Sequence, residues 1–134
     1  MRGVVLADTG PLYAIRDPDD ASHGRSREEL GRLKAQRLRL VVTFPTLIES
    51  YALVQRKLGL AQARSFLRYL VRTTVLITPT EEDHRGAIGR VLRYPDQDIS
   101  LADALCAEIS DRIEAPVWTY DHHFDVMGAR VWRA

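Results

Sequence analysis

Four acidic residues, far apart along the chain, stand where an α/β protein presents side chains to a ligand. Asp8 closes the run Val4-Val5-Leu6-Ala7-Asp8, and Asp121 closes Val117-Trp118-Thr119-Tyr120-Asp121. In each, an apolar stretch of the kind buried on both faces of a parallel sheet ends on a carboxylate. Open α/β sheets bind ligands at the carboxyl ends of their strands, so both acids belong to one edge. Glu49, in Thr46-Leu47-Ile48-Glu49-Ser50, and Asp103, in Ser100-Leu101-Ala102-Asp103-Ala104, lie just inside helices that follow strands. Such helices begin at that same edge, so four acids from four segments are expected to converge.

Crowded carboxylates repel one another, which raises their pKa values and costs stability unless a cation is present. Hard oxygen ligands, with no cysteine set or paired-histidine motif, select Mg²⁺ or Mn²⁺. An ion of this kind takes substrate phosphate oxygens and acidifies water. A second one, about 3.5–4 Å away, would stabilise the leaving 3′ oxygen of an in-line displacement. The implied chemistry is phosphodiester hydrolysis.

Each acid also has a purely structural use. Asp8 reads equally well as the cap of the helix after it. Thr46-x-x-Glu49, Ser100-x-x-Asp103 and Thr80-x-x-Asp83 all match the capping box, in which the acid satisfies a helix-start N–H. Asp83 follows Glu81 and Glu82 on a polar turn, and only the structural role is expected of it. Glu49 and Asp103 are flanked by apolar residues, and together with Asp8 and Asp121 they favour a site.

The elements that must position these acids alternate. Strands are expected at 4–7, 40–43, 75–78 and 117–120, with a last small one at 129–132. A short helix is expected over 12–15 after the Gly10-Pro11 break. A polar helix over 22–38 has Leu30, Leu33 and Arg37 on one side. The segment from Phe44 to Leu58 carries Leu47, Ile48, Tyr51, Ala52, Val54 and Leu58 at core-face spacing, and Gly59 ends it. Further helices are read over 60–71, 79–93 and 99–113, with a helical or loop segment over 122–127. This pattern predicts a three-layer α/β/α sandwich around a mostly parallel, twisted sheet of four to five strands. The chain of 134 residues fits one domain, 1–134.

Composition narrows the class. An apolar fraction of 46% suffices for a core without staples. The single cysteine, Cys106, rules out an internal disulfide and a cysteine zinc cage within one chain, and its helical apolar setting reads as core. The first apolar run is too short for a signal peptide, and no segment approaches the roughly 18 residues of a membrane span, so a cytoplasmic protein is expected. A net charge of +1 argues neither for nor against nucleic acid. Of the basic residues only Lys34 and Lys57 are lysines, a skew that suits phosphate contacts but also follows from GC-rich codons.

Taken in order, these motifs resemble the PIN-domain nucleases, particularly the small VapC-type toxins of bacterial and archaeal toxin–antitoxin pairs. The likeness covers the whole chain: Leu6-Ala-Asp8-Thr9-Gly-Pro-Leu12, the Glu49 helix with its Pro45 start, Asp98-Ile-Ser-Leu-Ala-Asp103-Ala104, and Thr119-Tyr-Asp121-His-His-Phe124. The resemblance implies Asp8, Glu49, Asp103 and Asp121 as catalytic residues and metal ligands, and Mg²⁺ or Mn²⁺ as cofactor. It makes Thr9 and Thr119 accessory hydroxyls and Asp98 an extra acid at the rim, with Asp125 able to replace Asp121. Ribonuclease activity on RNA, a homodimer and a cognate antitoxin partner are likewise implied by it.

Two other classes compete. A haloacid-dehalogenase-like phosphatase wants a second Asp two residues after the first, where Gly10 stands. A catalytically weak RNA-binding or antitoxin-binding module of the same fold would retain RNA without cutting it. Of the remaining residues, His122 and His123 are expected to point apart as rim residues, and His23 and His84 to lie on the surface. Trp118 and Trp132 read as core. Arg16, Arg85, Arg90 and Arg93 could line an RNA path.

Overall fold

The computed structural model describes residues 1–133. Its sheet is built from β1 (Val4–Ala7), β2 (Arg39–Thr43), β3 (Val75–Ile77) and β4 (Val117–Trp118), in the order β3-β2-β1-β4 and parallel throughout. β1 is central and fully buried, as its uninterrupted apolar sequence requires. Its alternate side chains feed two cores. Val5 and Ala7, with Val42 and Trp118, pack under α1 (Thr9–Ala14), α3 (Phe44–Leu58) and α4 (Leu60–Thr73). Val4 and Leu6, with Val41 and Val117, pack under α5 (Glu81–Arg93), α6 (Leu101–Ile113) and α7 (His123–Val126). The result is the three-layer α/β/α sandwich, with Cys106 in its interior.

The strand order places the topological switch between β1 and β4. From β1 the chain moves outward through β2 and β3, then returns across β1 to β4. Strand connections diverge at that point, and a crevice opens at the carboxyl edge.

Several local expectations are corrected. β4 stops at Trp118, and the expected last strand is reduced to one bridge between Val117 and Val131, so the described sheet has four strands. β1 itself ends at Ala7, opposite Trp118, and beyond that point Thr119 and Tyr120 hydrogen-bond Asp8 and Glu29 through their side chains. On α3, Ile48 is 68% exposed and Ala52 is also exposed; the buried stripe is Thr46, Leu47, Ser50 and Val54. α2 (His23–Ala35) ends before Arg37, and its buried residues are Ser26, Glu29 and Leu33. His23 is half-buried, with Nδ1 2.7 Å from the Ala14 carbonyl oxygen. Among the described residues no helix is long and apolar enough to cross a membrane.

Candidate active site

The competing cap assignments are decided by hydrogen bonds. Thr80 and Asp83 form a complete capping box, and Asp83 also receives Nε and an Nη of Arg112, each at 2.9 Å. Its carboxylate is fully used. The N-cap of α3 is Thr43, the last residue of β2, whose Oγ1 accepts from the Thr46 N–H at 3.2 Å. Glu49 therefore lies a turn too late to cap anything. Ser100 caps α6 by accepting from the Asp103 N–H, and no bond from the Asp103 side chain returns to the cap. Asp8 makes no side-chain cap bond to α1.

Freed from capping, Asp8, Glu49, Asp103 and Asp121 line one cavity of about 480 Å³, with Thr9, Gly10, Ser100, Tyr120 and His122. Among the described residues no lysine or arginine lines it. Asp8 is 7% exposed, and its Oδ2 accepts from the Thr119 hydroxyl at 2.8 Å. The same Thr119 oxygen accepts from the Asp121 N–H at 3.0 Å, so one hydroxyl ties the ends of β1 and β4 together.

The electrostatics follow from this crowding. Burial pushes the Asp8 carboxyl up against the pull of the Thr119 hydroxyl and the Thr9 N–H, and the charges of Glu49 and Asp121 add to the rise. Asp103 is pushed up to about 8 by burial, by the Asp8 charge, by its hydrogen bond to Asp121, and by the charges of Asp121 and Glu49. For Asp121 burial is outweighed by the His123 N–H, the Asp103 hydrogen bond and the two neighbouring imidazoles, which hold it below the usual carboxylate value. Of the two, Asp103 is the acid that holds a proton the more readily. Beneath them the Cys106 thiol is raised by burial and by Asp8, Asp103 and Glu49, which keeps it protonated and a poor metal ligand.

The remaining candidates divide. Thr9 lines the cavity and Thr119 braces it. Asp98, exposed in the loop before α6, does not line it. Asp125 instead lines an adjoining cleft with Asp121 and His122 and pairs with Arg133 at 3.2 Å. His122 and His123 do not point apart: their ring centroids are 4.2 Å from each other, and their Nδ1 atoms lie 3.8 and 3.1 Å from Asp121 Oδ1. Arg90 is buried between Glu108 and Asp111, Arg85 pairs with Glu81, and Arg16 bonds Ser65, so none of these three reaches the acids. Trp118 and Trp132 are buried in a T-shaped pair, 6.5 Å between centroids. Ser100 and Tyr120 carried no signal of a site in the sequence; Ser100 reads as a cap and Tyr120 as one more strand residue.

The PIN domain family model matches residues 5–129. The chain belongs to the PIN-domain family. No protein of curated function matches it in sequence. Among solved structures, this PIN domain is similar to VapC20 of Mycobacterium tuberculosis, a toxin that cleaves the sarcin–ricin loop. That match has a TM-score of 0.83 at 19% identity, covering 97% of this chain and 99% of the other. It is also similar to the VapBC2 complex of Rickettsia felis bound to a promoter DNA fragment, with a TM-score of 0.73, 14% identity and 97% of both chains covered. FitAcB of Neisseria gonorrhoeae gives a TM-score of 0.69 at 16% identity over 96% of both chains. At these identities the likeness is one of fold.

The donor set of this PIN domain fits a divalent cation. Its donors are carboxylate and hydroxyl oxygens together with imidazole nitrogen, since Asp121, His122 and His123 each offer an atom within 4.8 Å of the others; its one nearby sulfur is buried and protonated, and its negative charge is not offset by any cavity-lining lysine or arginine.

Proposed function

We propose that this PIN domain is an endoribonuclease that hydrolyses RNA phosphodiester bonds with Mg²⁺ or Mn²⁺, and that it is the toxin of a toxin–antitoxin pair. The observation that carries the reading is the meeting of Asp8, Glu49, Asp103 and Asp121 in one cavity at the switch point, where no lysine or arginine offsets their charge. A divalent ion, when bound, supplies positive charge beside the scissile phosphate and acidifies water for in-line attack. The chain's own contribution is to hold it. Asp8, oriented by Thr119, and Asp121, oriented by the His123 N–H at 2.9 Å, supply fixed carboxylates. Asp103, which would have to be deprotonated to act as a ligand, and Glu49 line the same cavity and would complete the set.

The toxin assignment draws on the fold shared with VapC20, a toxin that cleaves the sarcin–ricin loop, and on a Klebsiella pneumoniae toxin–antitoxin complex, at a TM-score of 0.64 and 16% identity over 88% of this chain and 87% of that one. A homodimer is supported by an apolar cleft of about 240 Å³ lined by Pro45, Ile88, Leu101 and Leu105, with Leu92 also exposed on α5.

The deciding experiment is cleavage of RNA by purified protein across a metal series. Mg²⁺- or Mn²⁺-dependent cleavage that is lost in Asp8→Asn, with the fold intact by circular dichroism, is the expected outcome. Retention of RNA without cleavage in any metal would replace the enzyme with a binding module, and full activity in Asp8→Asn would remove the site.

A further inference from the structure

α2 carries an acid where a surface helix normally turns an apolar residue inward. Its buried stripe is Ser26, Glu29 and Leu33, and Glu29 is only 9% exposed. Burying a carboxylate is costly unless hydrogen bonds replace its water. Here they come from a segment about ninety residues away. Glu29 Oε1 accepts from the Trp118 indole Nε1 at 3.1 Å and from the Tyr120 hydroxyl at 2.5 Å. Its other oxygen faces Arg25 Nε at a long 3.5 Å, and the Arg25 guanidinium lies 4.2 Å above the Tyr120 ring.

The consequence lies one residue away. Side chains alternate along an extended segment, so Trp118 and Tyr120 share one side and Thr119 takes the other. The backbone is held by the sheet only as far as Trp118, whose carbonyl accepts from the Asp8 N–H at 3.0 Å. From Thr119 to Asp121 the chain has left the ladder. Across that exit one oxygen of Glu29 holds both the last sheet residue, Trp118, and Tyr120 beyond it, while Thr119 holds Asp8 and the Asp121 N–H.

We propose that Glu29 is a positioning residue that sets the separation of Asp8 and Asp121, and hence the cation affinity of the site, by clamping Trp118 and Tyr120. The inference rests on the metal-dependent reading above. Groups that hydrogen-bond a metal ligand directly cost about 10- to 100-fold in affinity when removed, and Glu29, acting one residue further out, is expected at the lower end of that range.

The test is Mn²⁺ binding to the whole chain, followed by electron paramagnetic resonance of the free ion. Glu29→Ala is expected to weaken binding about tenfold or more, and Tyr120→Phe, which removes one grip without leaving a cavity, about threefold or more. Glu29→Gln, whose amide oxygen can accept from both donors, is expected within about threefold of wild type, because geometry and not charge is what it must supply. Leu33→Ala, on the same buried stripe, lowers the melting temperature and leaves Mn²⁺ affinity unchanged. Wild-type affinity in Tyr120→Phe, or in a folded Glu29→Ala, overturns the proposal. So does a Glu29→Gln as weak as the alanine variant, or an equal loss in Leu33→Ala. Should Glu29→Ala fail to fold, Tyr120→Phe decides. A wild-type chain that binds no Mn²⁺ overturns the nuclease reading and this inference together, and is told apart from failure of the clamp alone.

Discussion

Thr119 donates its hydroxyl to Asp8 across 2.8 Å, joining two residues 111 positions apart, and by accepting from the Asp121 N–H it fixes the first of the four clustered acids against the fourth. A hydrogen bond to a buried charged group contributes about 1.5–3 kcal/mol. Thr119→Val keeps the shape and removes the donor. It is expected to lower RNA cleavage about 10- to 100-fold and to weaken Mn²⁺ binding in parallel, while the circular dichroism spectrum stays that of the wild type. Unchanged turnover would show that Asp8 is held by something else.

Cation binding should depend steeply on pH. Asp103 is pushed up to about 8 from 3.8, so at neutral pH it carries a proton that must leave when the ion arrives. Affinity should then rise roughly tenfold per pH unit up to about pH 8 and flatten above it. Without metal the sign reverses. The folded state holds this proton more tightly than the unfolded chain does, so the stability it contributes is complete below 3.8 and is lost as pH rises through about 8. Isothermal titration in two buffers of different ionisation enthalpy reads the released proton, and Asp103→Asn should abolish that release.

The acid that only holds the fold together should behave differently. Asp83 has its carboxyl below the usual range because the two Arg112 bonds and the Thr80 N–H outweigh its burial. Its folded pKa is depressed, so its stabilisation is present above 3.8 and is lost as pH falls below that value. Asp83→Ala removes a cap and an ion pair whose arginine is half exposed and can return to water. A loss of about 2 kcal/mol in urea unfolding is expected, with Mn²⁺ affinity unchanged.

How much of this was legible in the residue string depends on how local each cause is. β1 was legible because a short, wholly apolar run has nowhere to go except a doubly covered sheet centre. The convergence of the four acids followed from strand-then-helix order alone. Which threonine caps α3 was not legible: Thr46-x-x-Glu49 has the right spacing, but Thr43 at the end of β2 reaches the helix first. The burial of Glu29 depends on its contacts with Trp118 and Tyr120, about ninety residues away, and no periodicity reports them. Arg90 stood among the arginines that could line an RNA path because its partners, Glu108 and Asp111, lie on the next helix. The paired imidazoles of His122 and His123 depend on Asp121 holding the turn with its Oδ1, another feature invisible in the order of residues.

The exposed apolar cleft between α5 and the start of α6 makes a further prediction. If a second copy covers it, Ile88→Glu should convert a dimer into a monomer in sedimentation velocity at micromolar concentration. A charge introduced at a buried contact is left unpaired, which costs several kcal/mol. The wild type sedimenting as a monomer would remove the homodimer.

The most diagnostic stability measurement concerns Asp8. In the metal-free protein its carboxyl is buried near Glu49 and Asp121, and its raised pKa reports that the charged form is disfavoured. Asp8→Asn keeps an oxygen that can accept from Thr119 and removes one charge from the cluster. The metal-free variant is therefore expected to melt higher than the wild type, by a few degrees. Adding millimolar Mn²⁺ should then reverse the order. A ligand at about 100 times its Kd stabilises the native state by about 2.7 kcal/mol, and only the wild type retains the site that collects it. The crossing of the two melting temperatures with metal is the signature to look for, because a residue that merely capped α1 would lower stability on replacement in both conditions.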